Sequence, residues 1–325
     1  MNKRHLLVLL TGLSFGVCAA PAAAQAPAYP SKPIRLIVPF PAGGATDLFA
    51  RSVSQKLSER LGQSVVVDNK PGAGGTLGAD LGAKAAADGY TLVLTTTSTH
   101  SIGPNLNPRI PYDAVRDFTP ISHLGNAPSI MLVPNSSPAK TVKEWIDLAR
   151  QNPGRLNYAS SGNGTIVHLT AELFKSQANV FVLHIPYRGT ALAIPDLVSG
   201  KLDVIFDSLP SALPHVKDGR LRALGVTSAK RTPLAPEYPP IAEVLPGYES
   251  VTWFGIFGPR GLPPELVARI NTAANQVLKD PETIDRLTRL GIEPVGGTPA
   301  QFTTMLAGES AKWKKIIQER KITLD

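Results

Sequence analysis

Residues 34–48 read IRLIVPFPAGGATDL. An apolar run of Ile34, Leu36, Ile37 and Val38 stops at a Pro-Gly-Gly turn, and a helical pattern opens near Thr46 and continues to Leu61, with Gly62 behind it. This unit of strand, glycine turn and helix constrains the fold because the chain repeats it. A second apolar strand, residues 65–67, ends at Asn69-Lys70-Pro71-Gly72-Ala73-Gly74-Gly75, a small-residue helix follows over 76–87, and a third strand covers 91–95. Helix-length crossovers between successive strands predict a parallel sheet with helices on its faces. In such a sheet the loops at the carboxyl ends of the strands carry the chemistry. There, bare backbone N–H groups and a helix N-terminus receive anions without a charged side chain.

Further along, residues 98–119 are irregular and rich in Pro, Asn and Asp. Strands are predicted at 121–124 and 130–133, flanking Gly125 to Pro128 as the first crossing between domains. Thr141 with Glu144 three residues on is a capping box, and Val142, Trp145, Ile146 and Ala149 give the helix behind it an apolar stripe. Strands at 156–159, 181–185, 204–206 and 221–226 end at polar or glycine turns. A proline-rich stretch, 233–246, leads back to a buried strand at 253–257. Helices are predicted at 264–278 and 281–290, and Thr298, Pro299 and Gln301 open a last one reaching about Arg320. At 325 residues, two domains are the expected organisation. The expected division is 1–24 as a cleaved leader, 25–125 as the first part of lobe one, 126–249 as lobe two, and 250–325 as the return to lobe one.

The leader follows from Lys3 and Arg4, the apolar stretch to Val17, and Ala22-Ala23-Ala24 before Gln25: a secretory signal cut after Ala24, which places the mature chain in the periplasm. The single cysteine, Cys18, lies inside that leader without the neighbours of a lipidation site, so the mature chain has no disulfide. The net charge of +8 is scattered and lacks the clustered basic face with aromatics that nucleic acid requires.

Four turns at strand ends are the site candidates. In the first lobe they contribute Phe40, Ala42, Gly43, Gly44, Thr46 and Asp47, and Ala73 with Gly74. In the second they contribute Ser160, Ser161, Gly162, Gly164 and Thr165, and Tyr187 with Arg188. Facing each other, they would clamp a carboxylate between backbone donors. Ser160 to Thr165 is equally an ordinary capped turn. It lacks the G-x-S-x-G of a nucleophile elbow, and Gly162 and Gly164 lack a third glycine for a dinucleotide fingerprint. Gly72, Gly74 and Gly78 miss that fingerprint by one residue, and neither turn has a P-loop lysine. His168, in the first turn of the following helix, can bond its own turn or reach the cleft. Asp47 suits a helix N-terminus and the shaping of its turn. Arg188 suits either a ligand carboxylate or solvent, and Asp207 ends a buried strand at the cleft. A Ser160–His168–Asp207 triad can be written, but no motif requires it. The histidines show no paired spacing, so neither a metal nor a cofactor is expected.

The blocks VPFPAGGATD at 38–47, DNKPGAGG at 68–75, DFTPI at 117–121, LNYASSGNGT at 156–165, His168-Leu169, PYRG at 186–189 and WFG at 253–255 together resemble the Bug family of extracytoplasmic solute receptors of tripartite tricarboxylate transporters. The similarity runs over essentially the whole mature chain and departs at Arg188, where the family often has lysine. The resemblance implies a two-lobe periplasmic binding protein fold of type II-like architecture, each lobe an α/β mixed, mainly parallel sheet flanked by helices, with the ligand cleft between lobes. It implies a monomeric, non-catalytic receptor that binds a small organic carboxylate between the first glycine turn and the serine-glycine turn and delivers it to a two-subunit membrane permease. The alternatives are a secreted α/β hydrolase-like enzyme using Ser160 or Ser161, and a sensor component that presents its ligand-bound form.

Overall fold

The computed structural model describes residues 29–324. The expected leader, its cleavage after Ala24, and Cys18 lie outside the described residues. The first three strands, β1 (Ile34–Val38), β2 (Val65–Asn69) and β3 (Thr91–Thr96), alternate with α1 (Ala45–Leu61) and α2 (Thr76–Ala83), and β1 pairs in parallel with both others. Helical turns at Ser98–Ile102 and α3 (Gly103–Leu106) open the irregular passage. Then comes β4 (Phe118–Pro134), a single strand of 17 residues.

The second half places α4 (Val142–Gln151), β5 (Asn157–Ser160), α5 (Ile166–Ala178), β6 (Leu183–Pro186), α6 (Thr190–Val198), β7 (Val204–Ser208), α7 (Leu209–Lys217) and β8 (Leu221–Val226). The chain returns through β9 (Val251–Pro259), α8 (Pro264–Leu278), α9 (Pro281–Arg289), β10 (Glu293–Pro294) and α10 (Pro299–Glu319). The strand order is β2-β1-β3-β9-β4-β7-β5-β6, with β8 and β10 also on β4. Parallel pairing at both ends meets antiparallel pairing in the centre, where β9 lies between β3 and β4, and β4 continues into β7 and β8. We call the β1–β3 end the first lobe and the β5–β7 end the second.

Strand β4 replaces, by one continuous strand, the two expected at 121–124 and 130–133. It runs unbroken from pairing with β9 into pairing with β7 and β8, with register shifts near Pro120 and His123. Gly125 is there for close approach: a Cβ would lie 2.8 Å from Glu293 O of the neighbouring β10. Pro128 occupies the last pair with β9, where a missing N–H costs little. Helices α6 and α7, absent from the sequence reading, carry Pro195 and Pro214 in their interiors, where proline removes a backbone donor.

Helix α10 touches both halves. Its capping box is present, Thr298 receiving Gln301 N and Gln301 reaching back. Phe302 packs with Trp253 and Phe257 in one core cluster. About three turns later Trp313 and Ile317 join Ile130, Ile166 and Ile205 in another. The box expected at Thr141 is half made. Thr141 Oγ1 accepts from Glu144 N at 3.1 Å, but the Glu144 carboxylate accepts from Lys140 N.

Candidate functional site

The first-lobe turn is shaped from behind. Asp47 is 2% exposed and accepts from Gly43 N at 3.0 Å and from Arg51 Nε. Asn69 Nδ2 donates to Asp47 Oδ1 and to Phe40 O, each at 3.0 Å, and so ties the turn to the end of β2. Burial pulls the Asp47 carboxyl upward, yet the bonds from Arg51, Gly43 N and Asn69 hold it below the usual carboxylate range.

The serine-glycine turn after β5 is a closed set of bonds. Ser160, with 0% exposure, pairs its Oγ with His184 Nε2 at 2.7 Å and accepts from Gly162 N. Ser161 Oγ donates to Thr165 Oγ1, which donates to Gly162 O and caps α5 through His168 N. His168 Nδ1 accepts from Gly164 N at 3.2 Å, and its ring stacks on His184, which stacks on Tyr158. His168 thus bonds its own turn. Ile166 N, at the start of α5, donates to Ser98 Oγ at 2.9 Å, a bond from the second lobe to the end of β3.

The lobes touch through their glycine turns. A Cβ on Gly74 would lie 2.8 Å from Asn163 O, and one on Gly189 would lie 2.8 Å from Pro41 Cγ. Between these contacts lies a cavity of about 50 Å³. Five expected residues line it: Phe40, Gly44, Thr46, Ser161 and Asp207. So do residues the sequence reading missed, among them Thr96, Ser98, Thr190, Ser208 and Thr252. Thr96 and Ser98 lie at and just past the carboxyl end of β3, the place the strand-end rule marks, but only the pairing of β3 with β9 turns them toward the other lobe.

The other expected residues do not line this cavity. Ala42, Gly43 and Ala73 are on the outside of their turns, Gly74 is at the lobe contact, and Ser160, Thr165 and His168 are buried behind it. Gly162 and Gly164 hold the left-handed conformations of their turn. Tyr187 donates its hydroxyl to Asp196 at 2.8 Å, and Arg188 is exposed. A larger groove, about 1140 Å³, opens between 104–117 and α10. It contains none of the four glycine turns, so the small cavity between the lobes is the candidate site.

Asp207 is 1% exposed, and its carboxyl accepts from Ser208 N at 2.9 Å, from Ser211 Oγ at 2.7 Å and from the Thr190 side chain. Burial nevertheless pushes it up to about 6. Its partners are hydroxyls and a backbone amide rather than an imidazole, and Ser160 is buried with its Oγ on His184, so Ser160, His168 and Asp207 are not arranged as a catalytic relay. Among the described residues, no group of His, Cys, Asp and Glu is placed to hold a metal ion.

Comparison with known proteins agrees with this architecture. The chain is 42% identical over 317 residues to the UPF0065 protein in the tcbD-tcbE intergenic region of Pseudomonas sp. (strain P51), covering 97% of this chain and 94% of that one. Protein BugT of Bordetella pertussis is 34% identical, with 98% of both chains covered. The structure of R. palustris Rpa4515 with adipate superposes with a TM-score of 0.88 at 37% identity, covering 91% of this chain and 99% of that chain. MatC (Rpa3494) from Rhodopseudomonas palustris with bound malate gives 0.85 at 31%, covering 89% and 100%. The description "Tripartite tricarboxylate transporter family receptor" matches residues 49–322. With a cleft closed by glycine turns from two lobes, and with sequence identity along nearly its whole length, this chain belongs to the tripartite tricarboxylate transporter receptor family.

Proposed function

We propose that this protein is a non-catalytic periplasmic receptor that closes its two lobes on a small organic carboxylate and hands it to a tripartite tricarboxylate-type permease. The observation that carries the reading is the cavity between the lobes, framed by the β1 turn on one side and the β5 turn on the other, and lined by hydroxyls and backbone groups. Such a lining solvates an anion through dipoles and helix N-termini. The relatives with adipate and with malate support the carboxylate class. The ligand-contact set we propose is Phe40, Gly44, Thr46, Ser161 and Asp207, extended by Thr96, Ser98 and Thr190. The lobes are proposed as 25–125 with 250–325, and 126–249, with α10 spanning both.

The mechanism is conformational. A cavity of about 50 Å³ is several-fold smaller than the roughly 300–1,000 Å³ of a small-molecule pocket. A dicarboxylate therefore enters only when the lobes part, and it favours closure by contacting both. The test is a thermal-shift panel of mono-, di- and tricarboxylates that includes malate and adipate. A ligand at about 100 times its Kd adds about 2.7 kcal/mol, a rise of several degrees for a chain this size. A flat response to every member would remove the carboxylate reading. Hydrolysis of a chromogenic ester that is lost in Ser161→Ala or in Ser160→Ala would remove the non-catalytic one.

A further inference from the structure

We infer that the cleft captures its carboxylate together with a proton, which resides on Asp207 in the bound state. This rests on the receptor reading above and adds a linkage to it. Among the described residues, the cavity wall offers hydroxyls from Thr46, Thr96, Ser98, Ser161, Thr190, Ser208 and Thr252, and one carboxyl, that of Asp207. Among the described residues, no lysine, arginine or histidine lines it. Hydroxyls and backbone N–H groups can solvate one anion. A second negative charge in the same enclosed volume has no cation to answer it. Two carboxylates about 5 Å apart, at an effective dielectric constant of about 20, repel by an amount equivalent to a few hundredfold (roughly 250-fold) in affinity.

The titratable groups on the surrounding elements do not supply the missing cation. Asp47 on α1 is paired with Arg51, and His168 on α5 accepts from Gly164 N within its own turn. Asp196 on α6 is held by Tyr187 and Lys201. His215 and Lys217 are at the far end of α7, His123 on β4 is bonded to Asn126, His184 on β6 is paired with Ser160 Oγ, and Arg188, before α6, is exposed. None of these lines the cavity.

Protonation fits the hydrogen bonds already made. The bonds from Ser208 N, Ser211 Oγ and the Thr190 side chain are all accepted by the carboxyl oxygens, whose roughly four lone-pair sites leave one place for a proton, so all three persist when it binds. That O–H then becomes a donor toward a ligand oxygen, converting a repulsion into a charge-assisted hydrogen bond. The balance is simple: one proton leaves solution for Asp207 as the ligand carboxylate enters, and one returns when it leaves. Burial without a cation, which already holds the free carboxyl near 6, favours the same neutral form.

The experiment is isothermal titration calorimetry of the mature protein with malate and adipate at about pH 7 to 8.5, where the probes' own carboxyls are ionised. Each titration is repeated in buffers of different ionisation enthalpy. The expected result is uptake of about one proton per ligand and a Kd that rises by up to about tenfold per pH unit. Asp207→Asn should bind with no uptake and a flat profile. Binding with no proton uptake in the wild-type protein overturns the linkage and leaves the receptor function standing. The same uptake in Asp207→Asn assigns the proton elsewhere and overturns this site. Absence of binding to any carboxylate in the thermal panel removes the receptor reading, and the linkage with it.

Discussion

Two buried acids show how residue chemistry sets opposite pH responses in one molecule. Asp47 is held below the usual range by Arg51, Gly43 N and Asn69, so its charged form stabilises the fold. That contribution is present at neutral pH and is lost as pH falls through its lowered value. Asp207 is the reverse. Its folded value of about 6 lies above the unfolded value of about 3.9, so the folded state binds the proton more tightly. Stability through this group is greatest below about pH 4 and declines as pH rises toward 6, by up to about 3 kcal/mol. Without ligand, Asp207→Asn should therefore melt several degrees above the wild-type protein at neutral pH. The two curves should converge near pH 4. Ser208 N can still donate to the amide oxygen, and the Ser211 and Thr190 hydroxyls can rotate to accept from the amide nitrogen, so the substitution leaves no donor stranded. Parallel melting curves from pH 4 to 8 would show that Asp207 is not held in this environment.

At the scale of elements, α10 tests how far local signals reach. Its start was legible because Thr298, Pro299 and Gln301 specify a capping box and an N1 proline, and both are made. What the sequence did not reveal is that the helix begins against Phe257 and ends against Ile130 and Ile205. Unfolding in urea should separate the two properties. Thr298→Ala removes one cap and should cost about 1 kcal/mol. Trp313→Ala empties a site with 0% exposure and should cost about 3–5 kcal/mol. A loss below about 1 kcal/mol at Trp313 would mean the helix end is not anchored in the second cluster. The same contrast explains the rest of the reading. The β1–α1–β2–α2–β3 unit was legible because periodicity and glycine punctuation are local. The continuous β4 was not, since Gly125 and Pro128 mimic a break and only the close approach of β10 and the pairing with β9 explain them. Helices α6 and α7 were hidden by Pro195 and Pro214. In the site, the glycine turns announced themselves. The hydroxyls of Thr96, Ser98 and Thr252 did not, because their position in the cavity depends on how β3, β9 and β4 bring distant segments together.

For the molecule as a whole, the two lobes meet backbone to backbone across the cleft at Gly74 and Asn163, and glycine makes that contact achievable. Gly74 has φ of 65°, and a Cβ there would stand 2.8 Å from Asn163 O of the opposite lobe. Alanine at this position carries two penalties: left-handed strain, present whether the lobes are open or closed, and a clash present only when they close. Gly247 separates the two. Its φ is 80°, it is exposed, and a Cβ there would meet no atom of the described residues within 4 Å. Gly247→Ala should therefore lose about 1 kcal/mol of stability and bind the wild-type protein's carboxylate with unchanged affinity. Gly74→Ala should lose a similar amount of stability and bind at least about tenfold more weakly, because apparent affinity falls with the fraction of molecules able to close. Small-angle scattering at saturating ligand should find Gly74→Ala more extended than the Gly247→Ala control. Equal affinities in the two variants would mean that ligand is held without contact between Gly74 and Asn163. The closed jaw would then be a property of the free protein and not of the captured state.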